Sequence, residues 1–217
     1  MNISIDKSIK EKTNDFHIGV LICNVKIYEN EYLNEIVSNY ERKIQETISI
    51  KEVIKLNKIK DARDAYKSYG KDPSRYRLAA ESLYRRLSKG NKLYRINNVV
   101  DIGNILSLKY QKSIAVLDYD NIQGNIKIRL GKSSDEYFGI GRGKINIENI
   151  PLYEDDLGPF GSTTSDTERT MITNGTSKIL LFIVSFSGYD DLTNELEYTQ
   201  ELYTKYAEGS NFIRYVV

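Results

Sequence analysis

The densest concentration of chemistry-bearing side chains in this 217-residue sequence lies at residues 158–170, GPFGSTTSDTERT. Ser162, Thr163, Thr164 and Ser165 set hydroxyls side by side behind Gly161, and Asp166 and Arg169 follow. Hydroxyls donate and accept, and a Gly-Ser-Thr-Thr-Ser run leaves backbone N–H groups without ladder partners. Such a wall suits a carbonyl oxygen, an ester or a ribose. Asp166 can fix the loop or hold an ammonium, and Arg169 can pair with it. The same residues also spell a loop-to-helix junction capped by Asp166 and Thr167. The pattern alone leaves both readings open.

Other stretches carry less. Residues 76–95 hold Arg77, Arg85, Arg86, Lys89, Lys92 and Arg95 against one acid, Glu81. Interleaved with tyrosines, this basic face can meet phosphate or serve as a solvated helix surface. GIGRGK at 139–144 lacks the Gly-Lys-Ser/Thr of a phosphate loop and reads as a tight turn between strands. The acids at 118–120 and 154–156 sit at expected strand ends, where carboxylates cap turns, so no metal site is assigned. His17 is the only histidine and Cys23 the only cysteine. These counts exclude an internal disulfide and multi-Cys or multi-His metal sites, and they leave nucleophilic triads without parts. Cys23, within IGVLICNV, reads as core.

The elements that must position these residues follow from periodicity. Residues 16–28 read as a buried strand, and 30–47 place Leu33, Val37, Tyr40 and Ile44 at helical spacing. A second helical stretch runs from 50 to Gly70. A third, 73–90, is bounded by Asp72, Pro73 and Gly90. Residues 97–111 predict another amphipathic helix. Short strands follow (SIAVLDYD, GNIKIRLG, EYFGIG, IPLYED and KILLFIVSFSG), then a helix over 191–209 and a strand-like tail. Helices and strands share one core, giving an α+β domain over 1–217. It divides into a strand-and-helix part at 1–69, a central part at 70–187, and a closing helix and strand at 188–217.

A net charge of +1 supplies no global field for nucleic acid or membrane, so any basic patch must be local. No DNA partner, membrane span or cofactor is expected, and the polar N-terminal residues point to the cytoplasm.

Residues 95–131, RINNVVDIGNILSLKYQKSIAVLDYDNIQGNIKIRLG, resemble the B3/B4 domain of the bacterial phenylalanyl-tRNA synthetase β subunit. The match runs through Asn97, Val99, Val100, Asp101, Asn104, Asp118, Gly124 and Arg129. DPSRYRLAAESLYRRLSKGN upstream and DDLGPFGSTTSDTERT downstream are more similar to freestanding B3/B4 proteins, so the likeness spans about 70 to 187. It implies a three-layer β/β/α fold and an aminoacyl-tRNA editing pocket, with tRNA as partner. On this resemblance Thr163, Thr164 and Asp166 are the catalytic candidates. Asn104, Gly161, Ser162, Ser165 and Arg169 would bind substrate, and Arg77, Arg85 and Arg86 would guide the acceptor end. Backbone N–H groups near 161–164 would hold the ester carbonyl, and Thr163, Thr164 and Ser165 would order water or ribose. The pattern's pocket histidine is replaced by Ala115, its threonine by Gly103, and its Gly-Gly-Glu by Gly161-Ser162-Thr163. The implied activity is therefore hydrolysis of a mischarged aminoacyl ester through an altered pocket. The alternative is a non-catalytic module binding RNA, an amino acid or another small molecule.

Overall fold

The computed structural model describes residues 1–217. Its central layer is built from the most continuously apolar runs. β2 (His17–Asn24) and β9 (Lys178–Ser185) pair antiparallel along their whole length, flanked by β3 (Ile114–Asp118) and β10 (Ser210–Val216), in the order β10-β2-β9-β3. Successive side chains of a strand point to opposite faces. Ile18, Val20, Ile22, Leu180, Phe182 and Val184 therefore enter one apolar cluster. Leu21, Cys23, Ile179, Leu181 and Ile183 enter a second. A sheet covered on both faces must be apolar at every position, which is why these runs show no alternation.

The two faces meet different partners. Against the first lies another sheet, ordered β1-β4-β7-β8: β1 (Ile3–Ile5), β4 (Ile126–Leu130), β7 (Pro151–Asp155) and β8 (Gly158–Ser162), with β1 parallel to β4. Against the second pack α2 (Glu31–Thr47), α4 (Ala79–Leu87), α5 (Asn98–Tyr110) and α6 (Leu192–Ala207). The molecule is thus α+β, with sheet, sheet and helices in three layers. A one-turn α1 (Lys7–Lys10) follows β1. α3 (Asn57–Ser68) sends Ala62, Ala65 and Tyr66 into the core between the sheets. A small hairpin of β5 (Phe138–Gly139) and β6 (Gly143–Lys144) stands apart from both sheets.

Asn97 caps α5, its side chain accepting from the Val100 N–H at 3.0 Å. Gly103 lets α5 close on β3: a Cβ there would stand 2.6 Å from Val116 Cγ2. No helix is long and apolar enough to cross a membrane.

Three expectations need correction. The helix expected over 73–90 begins only at Ala79. Asp72 instead holds a separate turn by accepting from the Ser74 N–H at 2.8 Å, and extended Leu78 is drawn into the core between the sheets. Arg77 accordingly precedes the helix. The stretch from 50 to Gly70 divides into a short 3₁₀ turn, Val53–Lys55, and α3. The expected loop at 158–170 starts as strand β8, paired with β7, and becomes irregular only after Ser162. Gly158, Pro159 and Gly161 disguise that strand because they are poor strand formers.

Candidate functional site

Where α4, α5, β3 and the residues after β8 converge, the helical layer leaves a cavity of about 350 Å³. That volume lies within the range of small-ligand sites, about 300–1,000 Å³. Leu83, Val100, Gly103, Ile114, Val116 and Ile172 give it an apolar wall. Asn104, Arg142, Thr164 and Asp166 supply polar groups. The mouth is apolar and open to solvent, with Ile96 62% exposed and Ile140 and Met171 each 38% exposed.

The segment after β8 is braced from within. The Ser162 hydroxyl donates to the Ser165 carbonyl at 2.7 Å and accepts from the N–H groups of Thr164 (3.3 Å) and Ser165 (3.1 Å). The Thr163 N–H donates to the Pro151 carbonyl at 3.1 Å, and its own carbonyl accepts from the Ala79 N–H at 3.0 Å. Behind the segment, the Tyr66 hydroxyl joins Thr163 Oγ1 at 2.5 Å and Thr164 Oγ1 at 3.0 Å. The Tyr137 hydroxyl donates to the Ser165 carbonyl. The N–H of Ile140 donates to the Asp166 carbonyl at 2.9 Å, tying the β5–β6 hairpin to the same segment.

Asp166 is the electrostatic anomaly. Its Oδ1 accepts one long bond, 3.4 Å, from the Ser162 N–H. Burial pushes its carboxyl up to about 7, and that single N–H only partly opposes the rise. Gly161 makes room for it: a Cβ at 161 would lie 2.9 Å from Asp166 Oδ1 and 2.7 Å from the Tyr153 ring. The cation expected to pair with it is elsewhere. Arg169 forks onto Asp155, at 2.9 and 2.8 Å, and also donates to the carbonyls of Asn121 and Gly158. It ties β7 to the chain beyond β8 and stands outside the cavity.

Of the sequence-derived candidates, Asn104, Thr164 and Asp166 share the cavity wall. The Asn104 amide makes no hydrogen bond within the protein. Gly161, Ser162, Thr163 and Ser165, expected with them, do not line the cavity and form its backing. Thr163 is wholly buried, and the N–H groups of 162–165 are spent on protein acceptors. Arg77 is exposed, Arg85 leans 3.8 Å from Glu81, and Arg86 binds the Lys92 carbonyl and stacks 3.7 Å over Tyr94. None of the three arginines lines the cavity. Ala115 faces the core between the sheets, while its neighbours Ile114 and Val116 face the cavity. The histidine-for-alanine difference at 115 thus falls outside this wall.

The acidic stretches are also engaged. Asp118 accepts from the Thr176 hydroxyl at 2.6 Å, Glu154 and Asp135 grip Arg129, and Asp155 holds Arg169. No three His, Cys, Asp or Glu side chains converge to suit a metal ion. Cys23 is core, its thiol pushed by burial up to about 12.

A family model described as the B3/4 domain matches residues 61–201. The chain belongs to the B3/4 domain family. The match covers most of α3, all of α4, α5 and β3, and the segment after β8, so the whole cavity lies inside the B3/4 domain. A phenylalanine–tRNA ligase beta subunit from Fusobacterium nucleatum subsp. nucleatum is 30% identical over 95 residues, 42% of this chain and 12% of that protein. An N-terminal fragment of the phenylalanyl-tRNA synthetase beta-subunit from Pyrococcus horikoshii shares the fold. Its TM-score is 0.51 at 10% identity, covering all of this chain and 54% of the fragment. The B3/4 chain therefore corresponds to a small part of the curated synthetase subunit.

Sequence reasoning missed Arg142 and Ile140, which the hairpin of GIGRGK carries to the cavity mouth. Gly141 and Gly143, at φ +64° and +67°, let that turn fold tightly. The available signal was an arginine set between two glycines, Gly141 and Gly143.

Proposed function

We propose that this B3/4 protein receives the charged 3′ end of a tRNA in the cavity and hydrolyses the aminoacyl ester in trans. The observation that carries the reading is a half-buried carboxyl without a cation, Asp166, sharing a 350 Å³ cavity with the uncommitted Asn104 amide. A carboxyl held up to about 7 is matched to proton transfer near neutrality. In the proposed step Asp166 takes a proton from water as the water oxygen attacks the ester carbonyl. Asn104 donates to the carbonyl oxygen as charge develops, and the ribose oxygen leaves with a proton. An aminoacyl ester is already activated, so no covalent nucleophile is required. The ribose hydroxyl of the terminal nucleotide can help orient the water. Arg142 at the mouth suits the terminal phosphate, and Arg86 with Tyr94 continues the basic and aromatic surface along α4.

A second reading has one observation behind it. The backbone donors expected to hold the carbonyl are consumed inside the segment, which favours a module that binds an aminoacyl-tRNA or an amino acid without turnover. Steady-state release of amino acid from charged tRNA, wild type beside Asp166→Asn, separates the two. An editor turns over and the variant does not, whereas a binder protects the ester in both.

A further inference from the structure

The chemistry of the wall deepens the reading above, on which this inference rests. The cavity has two unlike sides. Thr164 and Asp166 come from one segment, and the Ile140 N–H bond to Asp166 brings the hairpin and Arg142 to that same side. The other side is made where α5 meets β3. Gly103, Ile114 and Val116 are in mutual contact there, Gly103 so close that an added Cβ would lie 2.6 Å from Val116 and 4.0 Å from Ile114. Leu83 and Val100 complete it.

The hydroxyls among the cavity's helical residues are occupied. Ser107 donates to the Lys112 carbonyl at 2.7 Å, and Ser82 donates to the Leu78 carbonyl at 3.1 Å. Neither has a proton left for a ligand. A ligand placing its ammonium and ester among Asp166, Asn104 and Arg142 must lay its side chain against the α5–β3 wall.

We infer that the side chain this cavity takes is aliphatic, and that Val116, wedged against Gly103, sets its depth. A hydroxylated isostere meets aliphatic carbon and serines with no proton to donate, so its hydroxyl goes under-satisfied on burial. A hydrophobic pocket rejects an isostere that merely adds a hydroxyl by about 10²-fold at most. Removing two methyls from Val116 deepens the pocket, and exchanging one of them for a hydroxyl supplies the missing partner.

The test uses the full chain and one tRNA charged separately with valine, threonine, leucine or phenylalanine. Wild type should release valine and leucine, with valine favoured over isosteric threonine by about 10²-fold. Val116→Ala should shift preference toward phenylalanine by at least about tenfold, and Val116→Thr, which keeps the volume, should narrow the valine-to-threonine ratio by about tenfold. Threonine released as fast as valine, or ratios unmoved in both folded variants, would overturn the side-chain inference while the site reading stands. No release of any of the four would overturn the reading itself and the inference with it.

Discussion

Asp166→Asn should make the protein more stable and do so in a pH-dependent way. Burial disfavours its charge and raises the carboxyl from an ordinary aspartate's 3.8 to about 7. The folded state thus holds this proton more tightly than the unfolded chain between those values. Stability falls as pH rises through that window, and the full cost is present above pH 7. At 1.36 kcal/mol for each pKa unit, the ceiling on that cost is about 4 kcal/mol, of which about 2.5 accrues between pH 5 and 8. Solvent at the cavity mouth screens part of it, leaving at least about 1 kcal/mol. Asparagine keeps an oxygen to accept from the Ser162 N–H and carries no charge to desolvate. Urea unfolding of both proteins at pH 5 and pH 8 measures the difference. The gain from Asp166→Asn should grow by at least about 1 kcal/mol across that interval. A gain that is the same at both pH values, or a loss at both, would refute the desolvation argument.

Other substitutions separate wall from backing. Thr163→Val removes a buried hydroxyl but leaves Tyr66 its bond to Thr164, so it should cost about 1 kcal/mol in urea unfolding and leave deacylation unchanged. A tenfold loss of rate in a folded Thr163→Val protein would return that residue to the chemistry. Arg169→Ala strands the Asp155 carboxylate, and should destabilise by about 3 kcal/mol without a change in substrate preference. Equal stability of this variant would show that Asp155 does not need its fork. Arg142→Ala should raise KM for charged tRNA several-fold with little effect on kcat or on unfolding, and a KM unmoved at low salt would remove it from the mouth.

The layers were legible because their residues obey simple periods. The unbroken apolar run of β2 demanded burial on both faces, and Asn97 with the α5 repeat marked a helix and its start. Asn104 was a candidate through the family resemblance and Asp166 through its place in the hydroxyl-rich stretch; both line the cavity. The false start of the helix at 73 came from reading Asp72 and Pro73 as a cap, when the pull of Leu78 into the core and the Ala79 bond to Thr163 decide where the helix begins. The hydroxyl run at 162–165 reads as one wall, yet Thr164 alone lines the cavity. Serine and threonine look alike in the sequence whether they face a ligand or brace a turn, and only long-range packing, Tyr66 behind Thr163 included, separates the two. Arg169 followed its long-range partner Asp155 rather than its near neighbour, a choice that no local spacing encodes. β3 was readable as a strand, but which face meets the cavity depends on where α5 packs, so Ala115 and Val116 could not be told apart.

The central claim is turnover at Asp166, and the most direct measurement is the rate of amino-acid release from an excess of charged tRNA between pH 5.5 and 8.5. The account predicts many turnovers per protein, a rate rising with pH through a single ionisation near 7, and loss of both in Asp166→Asn while the variant stays folded. Release that stops at one equivalent, or that persists unchanged in Asp166→Asn, would contradict it.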